Sequence, residues 1–287
     1  MKPDASPGSG VVIITGASRG LGLGLACLLA ERHVPLLITA RNESLIGSIS
    51  AALRTVGSPV AGVAADAADE AAMDQAFRVA ASLGPLQSVV NNAGVLEPID
   101  PIAQVDTSAF DRHFRTNVTG VMIGTKLALR FREPSTVLRV VNVSSGAASS
   151  PYAGWSAYCA SKAAITMLTQ VAALENQDGR TSIVSVAPGI VETAMQQTIR
   201  SMPTSRFPQV QRFVQFKESG SLLDPVDAAM ALEWLARGSP LALSGQMVDG
   251  RAPDTRGAIE RYYADSGEPI AATLQRAKRM YEKLQGS

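Results

Sequence analysis

A five-residue apolar run, Val11-Val12-Ile13-Ile14-Thr15, breaks into Gly16-Ala17-Ser18-Arg19-Gly20-Leu21-Gly22 and continues with helical periodicity from Gly20 to Arg32. This junction constrains the fold more than any other stretch. A short apolar run closed by glycine reads as a buried strand. Glycines at the turn let the backbone bend tightly and approach a pyrophosphate at the helix N-terminus. The spacing is Gly-x-x-x-Gly-x-Gly, not the commoner Gly-x-Gly-x-x-Gly. Gly16, Ser18, Arg19, Gly20, Leu21 and Gly22 are therefore candidate nucleotide-binding residues, and Gly24 reads as a small residue for helix–sheet packing. Glycine turns also serve tight packing alone, so the surrounding pattern decides.

That pattern repeats. Strands are expected at Val11–Thr15, Pro35–Ala40, Val60–Ala65, Leu86–Asn91, Val137–Ser144, Thr181–Ala187 and Gln246–Asp249. Helices are expected at Gly20–Arg32, Glu43–Val56, Asp69–Ser82, Thr107–Arg132, Ser156–Asn176 and Pro225–Arg237. Alternating buried strands and helices imply a parallel sheet covered on both faces, an α/β doubly wound fold of Rossmann type. The first ten residues, rich in Pro, Gly and Ser, read as a flexible arm, and residues 11–250 as one domain. Residues 190–223 carry Pro203, Pro208, Phe207, Phe213 and Phe216, and read either as a lid over a pocket or as surface helices with core anchors. Residues 251–287 form an extension with one or two amphipathic helices, packed on the domain or on a second subunit.

Composition narrows the function. With 26 basic and 25 acidic residues and no charge run, nothing points to nucleic acid or a membrane surface. Cys27 and Cys159 fit a reduced, cytoplasmic setting, and His33 and His113 are too few for a zinc site.

Strand ends suggest what the turn binds. An Asp or Glu ending the second strand would hold the ribose hydroxyls of NAD. This chain instead has Ala40-Arg41-Asn42. Arg41, helped by Arg19, can pair with a 2′-phosphate, which favours NADP(H); otherwise Arg41 is a solvated strand-end residue. Asp66 can accept from the adenine amino group or cap the next helix. Asn91-Asn92-Ala93-Gly94 lets a cofactor pass close while its asparagines tie strands together.

Tyr158-Cys159-Ala160-Ser161-Lys162 puts a phenol and an ammonium on one helix face, about 6 Å apart along the axis. At an effective dielectric near ~20, a charge ~5 Å away favours the phenolate by about 3 kcal/mol. The expectation is a tyrosine made more acidic by its lysine.

The glycine turn, Asn91-Asn92-Ala93-Gly94, Ser145 placed before Tyr158-x-x-x-Lys162, and Pro188-Gly189 together resemble the short-chain dehydrogenase/reductase family over roughly residues 10–250. The resemblance implies carbonyl–alcohol chemistry with a nicotinamide cofactor. It makes Tyr158 the acid–base and Lys162 its partner, which also holds the nicotinamide ribose. Ser145 would orient the substrate oxygen, Asn117 would belong to a proton relay, and Thr193 would hold the carboxamide. Asn42, Asn92, Ala93, Gly94, Pro188, Gly189 and Val191 join the cofactor set.

Ser144-Ser145-Gly146-Ala147, Pro151 to Trp155, Met195-Gln196-Gln197 and Phe216 to Leu223 are similar to the sepiapterin reductase and benzil reductase branch. That branch reduces vicinal dicarbonyls with NADPH. Tyr152, Trp155, Met195 and Phe213 then line an aromatic pocket or belong to the core. Asp249 anchors a pterin ring or simply follows the family's C-terminal pattern. The tail beyond Gly250 is longer than that branch usually has. The expected activity is NADPH-dependent reduction of one carbonyl of an aromatic 1,2-diketone to an α-hydroxy ketone. The alternatives are a sepiapterin-type pterin reductase, a secondary-alcohol dehydrogenase, and a nucleotide-sensing binding protein without turnover. The long helices at 107–132 and 156–176 suggest a homodimer or homotetramer by analogy.

Overall fold

The strands β1 (Val11–Thr15), β2 (Leu36–Ala40), β3 (Val60–Ala64), β4 (Leu86–Asn91), β5 (Leu138–Val143), β6 (Thr181–Ala187) and β7 (Met247–Asp249) form one sheet. Their order is β3-β2-β1-β4-β5-β6-β7, with every pairing parallel. The computed structural model describes residues 10–265, 267 and 270–286; the arm expected over residues 1–10 lies outside these except for Gly10. The chain reverses its strand order between β1 and β4, which opens a crevice at the C-terminal edge where such sheets bind ligands.

The helices are α1 (Gly20–Glu31), α2 (Glu43–Arg54), α3 (Glu70–Ala81), α4 (Thr107–Phe114), α5 (Gly120–Phe131), α6 (Ser156–Glu175), α7 (Ala194–Arg200), α8 (Val210–Glu218), α9 (Pro225–Arg237), α10 (Pro253–Asp265) and α11 (Ile270–Gln285). Side chains alternate across each strand, so neighbours enter opposite layers. Val12, Ile14, Leu36 and Ile38 meet Leu25, Leu28, Leu232 and Leu235 of α1 and α9. Val11, Ile13, Leu37 and Val89 meet Met73, Phe77, Ile123 and Leu127 of α3 and α5. Both sheet faces are therefore dry, and each large aliphatic side chain contributes about 1.5–3 kcal/mol.

Local chemistry sets the helix starts. Asn42 accepts from Leu45 N–H, Asp69 from Ala71 and Ala72 N–H, and Asp224 from Val226 N–H ahead of Pro225. Gly24 packs against α9 and not the sheet: a Cβ there would stand 2.7 Å from the Pro225 carbonyl.

The helix expected over 107–132 differs in one respect. Between α4 and α5, Arg115–Thr119 forms a wide π turn that carries Asn117. The extra residue per turn pushes Asn117 inward instead of letting the apolar stripe run on, a distortion common at functional sites.

The C-terminal extension packs on its own domain. Ile259, Tyr263, Ala277 and Tyr281 join the layer built by α1 and α9. The Tyr263 hydroxyl donates to Glu233 at 2.7 Å, and that buried carboxylate pairs with Arg32 at 3.1 Å and Arg237 at 3.2 Å. Arg276 reaches Glu31 at 2.6 Å.

Candidate active site

The glycine turn and the end of β4 are locked together. Thr15 Oγ1 accepts from the N–H groups of Asn92 and Ala93, both at 3.0 Å. Asn92 Nδ2 donates to the Thr15 and Gly16 carbonyls at 2.9 and 3.1 Å. Gly16 has φ +66°, and a Cβ at Gly22 would lie 2.4 Å from the Asn92 amide. Neither position admits a side chain. Asn91 donates to Asn142 at 2.8 Å, and Asn142 to Thr169 at 2.9 Å, tying β4, β5 and α6 together. The turn thus presents α1's N-terminus on a bare backbone surface, which fits the pyrophosphate of a dinucleotide.

Arg19 and Arg41 are exposed beside this turn. Neither guanidinium has a hydrogen-bond or ion-pair partner among the described residues. Asp66 accepts from Ala68 N–H at 2.9 Å, while Asp69 caps the next helix, so the capping alternative for Asp66 falls away. Asn42 spends its side-chain oxygen on capping α2. Pro188, Gly189, Val191 and Thr193 follow β6 at the same sheet edge, with Thr193 leading into α7. A Cβ on Gly20 would touch the Thr193 methyl at 3.2 Å, so the two sides of the crevice nearly meet there.

At the end of β5 the two serines part. Ser144 is buried and donates to the Lys162 carbonyl at 3.2 Å. Ser145 starts a short turn and accepts from Ala147 N–H at 3.1 Å, and its hydroxyl sits close enough to the Tyr158 phenol to pull it toward ionisation. Lys162 lies one turn along α6, with Nζ 5.5 Å from the centre of the Tyr158 ring, and it donates to the Val143 carbonyl at 2.8 Å. Tyr158 is 9% exposed and Lys162 6%.

Burial pushes the Tyr158 phenol up to about 12, against the pull of the Ser145 hydrogen bond. Burial likewise brings the Lys162 ammonium down to about 8. The expected acidification of Tyr158 by its lysine is therefore overturned. Both groups leave water together, and desolvation disfavours the charged form of each. At neutral pH the phenol keeps its proton and the lysine is mostly charged.

Asn117 is fully buried in the π turn, with Oδ1 accepting from Val95 N–H at 2.8 Å and Nδ2 donating to the Val95 carbonyl at 2.9 Å. Two neighbours escaped the sequence reading. His113 Nε2 lies 2.9 Å from both Asn117 Nδ2 and Ser161 Oγ. His113 and Asn117 stand four apart on one helix face, a spacing that could have exposed the pair.

An aromatic cluster roofs the site. Trp155 stacks on Phe207 at 4.7 Å and meets Tyr158 edge-on at 5.3 Å; Tyr152 and Phe213 approach Trp155 at 4.9 and 5.4 Å. Met195 and Phe216 pack against the same group. Phe207 and Phe213 come from the segment after β6, which Arg206 staples down through Asp100 at 2.7 Å and the Ile99 carbonyl at 3.0 Å. Asp249 stands apart: it is exposed at the end of β7, and its carboxylate accepts from the Arg251 N–H at 2.9 Å and pairs with the Arg251 guanidinium at 3.3 Å.

A family model described as short chain dehydrogenase matches residues 10–204. The chain belongs to that family, whose oxidoreductases use nicotinamide cofactors on carbonyl and alcohol groups. The benzil reductase ((S)-benzoin forming) of Bacillus cereus is 33% identical over 229 residues, spanning 77% of this chain and 91% of its own. The sepiapterin reductase of Meriones unguiculatus is 34% identical over 240 residues, spanning 78% and 90%. Among solved structures, the KRED1-Pglu enzyme has a TM-score of 0.76 at 31% identity, over 83% of this chain and 100% of its own.

Proposed function

We propose that the chain is an NADPH-dependent reductase of one carbonyl of an aromatic 1,2-diketone, giving an α-hydroxy ketone. The observation that carries this reading is the placement of Tyr158 at the sheet's ligand edge, edge-on to Trp155 at 5.3 Å under an aromatic roof and with Lys162 Nζ 5.5 Å from its ring. NADPH supplies the hydride when bound, with Gly16, Ser18, Arg19, Gly20, Leu21, Gly22, Asn92, Ala93 and Gly94 along its phosphates and ribose. Arg41 would pair with the 2′-phosphate. Lys162 would hold the nicotinamide ribose, and Thr193 the carboxamide.

Ser145 donates to the substrate oxygen and stabilises the charge that grows there. Tyr158 protonates that oxygen as it becomes an alkoxide. A phenol pushed up to about 12 is a weak acid toward water but a ready donor to an alkoxide, the stronger base. Asn117 holds the loop after β4 through Val95 and lies on the return path of the proton.

Trp155, Tyr152, Phe213 and Met195 give the pocket its preference for flat, apolar groups flanking the ketone. The 190–223 segment covers this pocket with Phe207 and Phe213 and is held down by the Arg206–Asp100 pair. The benzil reductase of Bacillus cereus supports the diketone by its name. Asp249, already paired with Arg251, weighs against a pterin anchor. The complete Ser145, Tyr158 and Lys162 set weighs against a sensor without turnover. Two copies would pair through α5 and α6, where Met122, Met167, Val171 and Leu174 are exposed apolar residues.

The test is NADPH oxidation followed at 340 nm with benzil, 1-phenyl-1,2-propanedione, sepiapterin and simple ketones. Turnover is expected to be fastest with the phenyl diketones. Sepiapterin preferred over both would replace this reading with the pterin one.

A further inference from the structure

The reduction proposed above leaves one buried titratable side chain without a role. His113 is 1% exposed, at the end of α4 beneath the Tyr158 ring, which it meets edge-on at 6.2 Å. Its Nδ1 lies 2.7 Å from the Glu97 carbonyl. A carbonyl only accepts, so Nδ1 carries the proton and Nε2 presents a bare lone pair. Two polar groups face that lone pair, Asn117 Nδ2 and Ser161 Oγ, each at 2.9 Å. Ser161 can place its one proton on the Tyr158 carbonyl or on Nε2, both 2.9 Å away, whereas the Asn117 amide nitrogen can only donate. Nε2 therefore accepts from Asn117.

Every polar atom of the Asn117 amide then has a partner. Oδ1 accepts from Val95 N–H, and Nδ2 donates to the Val95 carbonyl and to His113. This matters because Asn117 sits in a π turn, where the regular helix ladder does not by itself fix the residue. The amide plane is set from outside, by Val95 on one side and His113 on the other.

We infer that His113 is a positioning residue for this site: its unprotonated Nε2 orients the Asn117 amide, and its contacts with Ser161 and the Tyr158 ring hold the two helices that carry Asn117 and Tyr158 in register. The inference rests on the reductase reading for its kinetic consequence but not for its tautomer. Burial keeps the imidazole neutral, against the Glu97 hydrogen bond and with help from the nearby Lys162 charge. The other ionisable groups facing it are Tyr158 on α6 and the exposed Glu97. Protonation would aim a second N–H at the Asn117 amide and place a cation beside Lys162. Turnover should therefore fall at acid pH, below histidine's ordinary range.

The experiment compares His113→Leu, His113→Gln and the unaltered protein. Glutamine can place an acceptor where Nε2 stood; leucine cannot. His113→Leu should lower kcat about 100-fold, the scale of a small misplacement at a reacting centre, with NADPH affinity within about threefold. His113→Gln should recover kcat to within about tenfold and lose the acid limb of the pH profile. Nitrogen-15 NMR of the unaltered protein should show the Nδ1–H tautomer at neutral pH. Equal kcat in His113→Leu, parallel loss of kcat and NADPH binding in both variants, or an Nε2–H tautomer would each overturn the inference. No turnover by the unaltered protein on any carbonyl would sink the reductase reading, and the tautomer would then decide the assignment of His113 alone.

Discussion

Lys162 Nζ stands 5.5 Å from the centre of the Tyr158 ring, yet its hydrogen bond goes to the Val143 carbonyl. The lysine is fastened to the end of β5, not to the phenol. Its charge therefore sits at a fixed point below the site, and its proton is the more easily lost of the two.

That order gives a pH dependence. With Lys162 near 8 and Tyr158 near 12, kcat/KM for carbonyl reduction should fall above about pH 8 as the lysine loses its charge, well before the phenol ionises. Lys162→Arg should move that limb upward in a pH–rate profile. A limb that stays put would assign it to another group.

The same burial costs stability. An unfolded lysine titrates near 10.5 and the folded one near 8, so between these values the unfolded chain holds more protons. Stability attributable to Lys162 is lowest below about pH 8 and is regained as pH rises toward 10.5. Lys162→Met should stabilise the fold at pH 7 by up to about 3 kcal/mol while abolishing turnover. Denaturant melts of both proteins at pH 7 would check it.

Tyr158→Phe should remove at least about 1,000-fold of the turnover and leave NADPH binding nearly unchanged, because the proton donor goes while the glycine turn is untouched. Fluorescence titration with NADPH beside a turnover assay separates the two effects. Near-normal activity would defeat the acid–base role of Tyr158.

Arg41→Asp should invert the cofactor preference. The exposed guanidinium has no competing partner among the described residues, and a carboxylate there repels a 2′-phosphate. The ratio of kcat/KM for NADPH over NADH should fall about 100-fold or more. An unchanged ratio would clear Arg41 of this role.

Glu233→Ala should cost about 3–5 kcal/mol, since it removes the buried carboxylate that Arg32, Arg237 and the Tyr263 hydroxyl share. The drop should appear in urea melts without a change in KM.

Much of this was legible in the residues. Runs such as Val11–Thr15 and Leu36–Ala40 carry apolar residues on both faces, as strands covered on both sides do, and the seven strands lie where the expected runs lie. The spacing of Tyr158 and Lys162 placed them on one helix face. What stayed hidden depends on contacts distant in sequence. The π turn around Asn117 follows from polar partners on the loop after β4, which no helical periodicity reports. The reversal of the Tyr158 shift follows from how deeply α6 is covered. The docking of α11 depends on pairs such as Glu31 with Arg276, far apart in the chain.

That last pairing has a consequence for biosynthesis. The outer wall of α1, the helix whose first turn forms the glycine junction, is completed by residues translated some 250 positions later. A nascent chain on the ribosome can assemble β1, α1 and their neighbours early, but it carries an uncovered greasy flank until α11 emerges. Such a protein matures late, and chaperones that shield apolar helix faces would find their substrate in that interval.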